Sequence, residues 1–277
     1  MFQSPTRPWF GSLLALALLG GCTGVRYTTP SEAADLMIWQ DSPPDDPDRT
    51  GRIQPGEDSV IRSALDRRPA ARFPASIAIA RVQAPGYRSH TVQGHGTGAF
   101  SVVIQRDVET KDHFKTLSAM PEVRNLAPIS RLLLPSRMKS DQTLRRAAAA
   151  MRSDVLLIYT LDTRFHRVDT DKPLDVVTVG ILDNFNVEVY TTASAVFLDT
   201  RTGYVYGVSE GSSKKRTILN NWSNDEVVDA VRREVEAKAF DELVKSVVLN
   251  WTTIANEYGG QKKPPTADAS DVQRTTP

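Results

Sequence analysis

Cysteine is nearly absent. Cys22 is the only one in 277 residues, which excludes an intramolecular disulfide framework and a cysteine-rich zinc site. Histidine is scarce as well: His90, His95, His113 and His166 leave little material for a histidine-based metal centre, and no metal site is expected. An excess of charge is also missing. With 34 Lys+Arg against 33 Asp+Glu the net charge is +1, which argues against a nucleic-acid partner. No apolar run approaches the roughly 20 residues that a spanning helix needs. What is present, 40% hydrophobic and 24% charged residues, is ordinary for a globular protein and enough to bury a core.

The one long uncharged apolar run stands near the amino terminus, at residues 9–19 (WFGSLLALALL), behind Arg7. Its length suits the h-region of a secretory signal and not a spanning helix. Leu19-Gly20-Gly21-Cys22 follows directly. This resembles the bacterial lipobox, in which Leu19, Gly20 and Gly21 would be read by the lipoprotein signal peptidase. The resemblance implies a diacylglycerol on the Cys22 thiol, cleavage before it and an acyl chain on the new amino terminus. Three acyl chains would anchor the protein, since each buried CH₂ contributes about 0.8 kcal/mol. Thr23, in place of the Asp that favours inner-membrane retention in two-membrane bacteria, points to the outer membrane. No cofactor other than this lipid is expected.

Composition divides the rest of the chain. Residues 1–21 are expected to be the leader and 22–72 the lipidated cysteine with a polar tether, centred on Ser42-Pro43-Pro44-Asp45-Asp46-Pro47-Asp48. Such a stretch buries too little apolar surface to offset its ordering entropy. Two islands, 33–39 and 58–65, are spaced like helical turns and are candidates to dock. Residues 253–277 mix Lys, Pro, Thr, Asp and Ser without periodicity and read as a disordered tail.

The folded domain is expected over 73–252. Residues 75–82 (ASIAIARV) and 155–161 (VLLIYTL) read as buried strands, 107–118 as a helix, and 123–134 as a strand interrupted by Pro128. Ser140 and Asp141 open a helix running through Arg152. Strands are expected at 176–182, 187–199 and 204–210, the last two joined by a hairpin at Thr200-Arg201-Thr202-Gly203. Ser223 with Glu226 forms a capping-box pattern before a long helix with Val227, Val228, Val231, Val235, Phe240, Leu243, Val244, Val247 and Val248 at helical spacing. Helices before, between and after strands predict an α/β (α+β) sandwich: a mixed sheet of five to six strands with helices packed on it.

Residues 144–161, a helix ending in Ser153-Asp154 and running straight into VLLIYTL, are similar to a step found in several periplasmic lipoprotein domains. Residues 195–206 (AVFLDTRTGYVY) resemble their Val-Asp-x-x-Thr-Gly hairpin. These domains include the curli-secretion lipoprotein, the lipoprotein activators of penicillin-binding proteins and the amino-terminal domain of the Tol-Pal partner TolB. The overall layout resembles the rhombotarget lipoprotein family, with its lipobox, polar tether and opening Ile-Ala-Ile-Ala-x-Val strand, here from Ile77 to Val82. Some members end in Gly-Gly plus an apolar tail, whereas Gly259-Gly260 is followed here by Gln261-Lys262-Lys263. The resemblance implies a periplasmic α/β domain on an outer-membrane lipid anchor.

Candidate chemistry is thin. Gly94-His95-Gly96-Thr97-Gly98 lacks the Lys-Ser/Thr of a phosphate loop and reads as a flexible loop. Asp162, Asp169, Asp171 and Asp175 do not have the spacing of a calcium loop. His166 lies near Asp169, but no serine sits in a nucleophile elbow. Two basic groups stand out: Arg131, Arg137, Lys139, Arg145, Arg146 and Arg152 around one helix, and Lys214-Lys215-Arg216. Their functional reading is an acidic partner: lipid headgroups, an anionic glycan or an envelope protein. The alternating residues 187–210 would also suit a membrane hairpin, although a half-buried sheet explains them without further assumptions.

The expected protein is therefore a non-enzymatic, lipid-anchored periplasmic lipoprotein that binds or scaffolds an envelope assembly or secretion component. Arg137, Lys139, Arg145, Arg146, Lys214, Lys215 and Arg216 are its candidate partner-binding residues. The alternative is a cell-wall or lipid hydrolase using His166 and nearby acids.

Overall fold

The structure is a computed structural model and describes residues 57–168, 184–220 and 225–260. The leader, Cys22 and the strand expected at 176–182 lie outside the described residues. The fold is a mixed α/β sandwich around a seven-stranded sheet. β1 (Ala75–Gln83) and β7 (Val155–Val168) are its parallel centre, paired from Ile77↔Val155 to Arg81↔Tyr159. Both are buried along their central residues, so they read as continuous apolar runs. On the far edge of β1 lie β5 (Val123–Pro128), parallel, and β4 (Ser101–Val103), antiparallel, with β2 (Gly94–His95) beyond β4. On the other side, β8 (Asn184–Asp199) and β9 (Val205–Asn220) continue β7 as an antiparallel meander. β3 (Thr97–Gly98) and β6 (Arg137–Met138) form a separate parallel pair.

Helices cover both faces. α1 (Glu57–Asp66) precedes the sheet. α2 (Lys111–Ser118) and the long α4 (Asp225–Tyr258) lie on one face, where Phe240, Leu243, Val247 and Trp251 pack against Ile77, Leu157, Ala195 and Phe197. α3 (Asp141–Ala150) lies on the other, where Leu144, Ala147 and Ala148 meet Ala78, Leu156, Val196 and Leu198. The strict alternation of β7 and β8 serves both layers at once: odd-numbered residues face α4 and even-numbered ones face α3.

Several boundaries differ from the sequence reading, each for a physical reason. The sheet has seven strands because the short β2 and β4 carry too little apolar pattern to be read as strands. The loop at 94–98 is not loose: Gly94 and His95 pair with β4, and Thr97 and Gly98 pair with β6. Gly98 (φ +106) sits where a Cβ would stand 2.2 Å from the carbonyl oxygen of Met138, so the glycine there permits close strand approach. α2 starts at Lys111, capped by Thr110, and leaves Asp107 and Glu109 in an extended segment. His113 completes that cap. Its Nδ1 accepts from the Thr110 N–H at 3.1 Å, so its Nε2 donates to Asp241 Oδ1 at 2.6 Å. β5 ends at Pro128, followed by a 3₁₀ turn (Arg131–Leu133).

Contacts with the domain extend past 73 and 252 on both sides. Residues 67–72 dock on the β8–β9 turn: the Ala70 N–H donates to Asp199 Oδ2 at 2.6 Å, the Ala71 N–H to the Tyr206 hydroxyl at 3.1 Å, and Thr202 Oγ1 to the Arg68 carbonyl at 2.8 Å. At the other end, Ile254 and Ala255 on α4 belong to the core. A fragment spanning 67–260 is therefore expected to melt roughly 5–10 °C above one spanning 73–252, since loss of Ile254 burial alone is worth about 1.5–3 kcal/mol. Calorimetry of the two fragments checks this; equal melting temperatures would mean that the docked ends add nothing.

Candidate functional site

The described charges include a set locked inside the fold, pairs on its surface and a few surface cations without a carboxylate partner among the described residues. The locked set lies between the sheet and α4. Arg81 is the single charged residue of the largely apolar β1, and Arg232 faces it from α4. Around them gather Asp107, Glu109, Asp229 and Glu236, all with nearly inaccessible side chains. Arg81 bonds Asp107 at 3.0 Å, Glu109 at 3.3 Å and Glu236 at 3.4 Å. Arg232 bonds Asp107, Asp229 and Glu236. Hydroxyls satisfy the remaining lone pairs: Thr163 Oγ1 donates to Glu236 Oε1 at 2.8 Å, Tyr159 to Glu109 Oε1 at 2.8 Å and Thr91 Oγ1 to Asp107 Oδ2 at 2.9 Å.

Electrostatics follow from that packing. Burial pushes Glu236 up, and the opposing arginines do not fully reverse it. Burial pushes Asp107 up as well, but there Arg81 and Arg232 prevail and hold its carboxyl below the usual range. Burial raises the Tyr87 phenol to about 12 and the Tyr159 phenol well above its ordinary value, next to Glu109. Among the described residues most strong partners in this network are other network members, Arg233 on Asp229 being an exception, and the network clamps α4 and the 87–109 segment to β1 and β7.

The sequence reading missed this network, although a signal was there. Asp229, Arg232 and Glu236 stand at three- and four-residue spacing within the apolar stripe of α4, where a solvated face has no place.

A second locked group secures the turn after β8. Asp199 accepts from the N–H groups of Ala70, Arg201 and Thr202 and from the Tyr206 hydroxyl. Asp154 accepts from the Ser76 N–H, Arg124 and Arg201. The aspartates of the two motifs singled out in the sequence are thus structural fasteners. A surface depression of about 690 Å³ over α4 includes His113, Lys238, Asp241 and Lys245, but these charges are also paired, His113 with Asp241, Lys238 with Glu234 and Lys245 with Glu242.

The candidate partner-binding residues distribute as follows. Arg137 lies on β6, and Lys139 follows it before α3; both are exposed. Arg145 and Arg146 lie on α3, where Arg145 is held by Asp141 at 2.6 Å and reaches the Arg201 carbonyl, whereas Arg146 is exposed. Strand alternation splits Lys214-Lys215-Arg216. Lys215 turns toward α4 and pairs with Glu234, while Lys214 and Arg216 face the opposite side, where Arg216 lies 3.7 Å from Glu188. Lys214 pairs in register with Tyr190, six residues along β8 from Val196 beneath α3. The two basic groups are therefore about 20 Å apart along the strands. Cys22, Leu19, Gly20 and Gly21 lie outside the described residues.

His166 is exposed on β7, in register with Glu188, and Asp169, Asp171 and Asp175 lie outside the described residues. Asp162 pairs with Arg164 at 3.2 Å, and its burial raises its pKa. Among the described residues no cluster of His, Cys, Asp and Glu could hold a metal ion, and no helix is long and apolar enough to cross a membrane.

No protein-family model matches the chain, and no curated protein does. Among solved structures, similarity extends to a neuraminyllactose-binding hemagglutinin homologue from Helicobacter pylori, at 7% identity over 69% of this chain and 95% of that one, with a TM-score of 0.34. It extends also to a lipoprotein from Neisseria meningitidis (13% identity, 58% and 98% coverage, TM-score 0.26). The PelC dodecamer from Paraburkholderia phytofirmans is similar at 13% identity over 64% and 93% of the two chains, with a TM-score of 0.23.

Proposed function

We propose that this chain is an outer-membrane lipoprotein, anchored through acylated Cys22, whose periplasmic domain binds an acidic component of the cell envelope without catalysing a reaction. The lipobox-like Leu19-Gly20-Gly21-Cys22 supports the anchor. One observation carries the binding role. Arg131, Arg137, Lys139 and Arg146 are exposed and, among the described residues, have no carboxylate partner, although they fall within one short stretch of chain. The only acid of that stretch, Asp141, is buried and already paired with Arg145. Unpaired like charges repel one another, and a chain with a net charge of only +1 has acids enough to neutralise them. Their concentration here is the electrostatic counterpart of an anionic partner.

Cys22→Ser is expected to abolish acylation and leave unprocessed precursor, because the thiol is the attachment atom. Charge reversal at Arg137, Lys139 and Arg146 together is expected to leave the melting temperature nearly unchanged, since all three side chains are exposed. In-cell photo-crosslinking from this surface should lose its products in that triple variant. Full maturation of the serine variant would overturn the anchor, and unchanged crosslinks would overturn the binding surface.

A further inference from the structure

The exposed cations lie close in sequence to an apolar turn. Among the described residues Leu132 is the most exposed large apolar side chain, at 89%, and its neighbour Leu133 is 40% exposed. Both sit in the 3₁₀ turn (Arg131–Leu133) between β5 and β6. The turn is held firmly. Ser130 Oγ accepts from the Leu132 N–H at 3.3 Å, the Ser130 carbonyl from the Leu133 N–H at 3.0 Å, and the Arg131 carbonyl from the Leu134 N–H at 3.1 Å. Ile129, whose N–H donates to the Ile79 carbonyl at 3.0 Å, and Leu134 and Met138 are buried on either side. Of three consecutive leucines only Leu134 serves the core. The other two are pushed outward by the geometry that buries it.

We infer that this turn is a second membrane contact: Leu132 and Leu133 enter the interface of a bilayer containing anionic phospholipid, and Arg131, Arg137 and Lys139 engage its phosphates. The inference deepens the proposed function and rests on its acidic-partner reading, naming lipid as that partner. A cationic surface alone would suit any polyanion, and exposed leucines alone would suit any apolar groove. Exposed leucines in a hydrogen-bonded turn, with arginine and lysine close by in sequence, offer the two contacts that a membrane interface takes, one for acyl chains and one for phosphates. The long stems of Arg and Lys let the charges stay at phosphate level while the turn enters. Proximity favours the same partner. The chain from Cys22 to Glu57 can extend at most roughly 120 Å, so an anchored domain stays beside the bilayer and a contact weak in solution becomes effective there.

The test uses the full acylated protein with Leu132→Cys bearing an environment-sensitive fluorophore, reconstituted into vesicles of phosphatidylcholine with or without phosphatidylglycerol. Leu249→Cys, on an exposed position of α4 across the sheet, is the control. With phosphatidylglycerol present, the probe at 132 is expected to shift to the blue, resist aqueous iodide and be quenched by spin-labelled lipid, while the probe at 249 stays aqueous. Neutralising Arg131, Arg137 and Lys139 to Gln should lower the inserted-to-free ratio roughly 100-fold, since each cation near an anionic surface contributes about one kilocalorie per mole.

An aqueous probe at 132 on phosphatidylglycerol vesicles overturns the inference, as does equal insertion at 249. If that aqueous result comes with crosslinks from 139 to a protein or glycan, the partner is not lipid and only this inference falls. Loss of the Cys22 acyl mass, or crosslinks indifferent to charge reversal, instead falls on the proposed function.

Discussion

Arg232→Met is expected to destabilise the domain by about 3–5 kcal/mol, the usual result of removing one partner from a buried ion-pair network. For a domain of this size that is roughly 10 °C or more in melting temperature. Arg232 is fully buried and, among the described residues, is the only side chain that bonds Asp107, Asp229 and Glu236 together. Methionine fills most of the space but leaves Glu236 with Arg81 and Thr163, and Asp229 with Arg233. The double variant Arg232→Met with Glu236→Gln should lose less than the sum of the two single changes, because glutamine keeps a partner for Thr163 without a buried charge.

The pH dependence has a definite sign. Burial already raises the Glu236 pKa in the parent, and removing Arg232 raises it further by taking away an opposing cation. The folded variant then binds a proton at Glu236 at higher pH than the folded parent does. Its deficit relative to the parent is therefore largest at neutral pH and shrinks as pH falls through that raised pKa. Denaturant melts of parent and variant at neutral and mildly acidic pH measure the difference; a deficit that grows on acidification would show that Glu236 does not carry the penalty.

The network also marks where sequence reasoning stopped. Apolar periodicity correctly placed the buried β1 and β7, the helix after Ser140 and the long carboxy-terminal helix, since each buries one stripe or one continuous run. What periodicity cannot show is a polar residue at a core position, because its partners come from distant segments. Arg81 meets Asp107 and Glu109 across the loop after β1, and Glu236 from α4, more than 150 residues away. The free surface was more legible. The cations at 137, 139 and 146 are local in sequence and, among the described residues, have no carboxylate partner. The leucine run 132–134 reads as part of a strand, and only the turn shows that two of the three face outward. Lys214 to Arg216 looked like one patch because adjacency in sequence conceals the alternation of a strand.

Gly211→Val should be among the most damaging single substitutions, at about 3 kcal/mol or more, and even Gly211→Ala is expected to lower stability measurably. The reason lies in a stripe of small residues that the sequence reading cut short. The sequence reading ends this strand at Glu210, before Gly211, Ser212 and Ser213. The strand in fact runs to Asn220. Gly207, Ser209, Gly211 and Ser213 alternate along it on the α4 side, and that side has room for little else. A Cβ on Gly211 would stand 2.2 Å from the Leu243 nitrogen and 2.7 Å from the Ala239 carbonyl oxygen, both helix backbone that cannot rotate away. At Gly207 the nearest atoms belong to the Asn250 side chain, which can move, so Gly207→Ala should be milder.

Accommodating a side chain at 211 would require α4 to rise from the sheet. That loosens Phe240, Leu243 and Val247 in the core, pulls Glu236 away from Arg81 and pulls Arg232 away from Asp107. Denaturant melts of Gly211→Ala, Gly211→Val and Gly207→Ala should therefore rank valine at 211 as least stable and alanine at 207 as closest to the parent. Equal stability of all three would mean that α4 does not seat on β9 through this stripe.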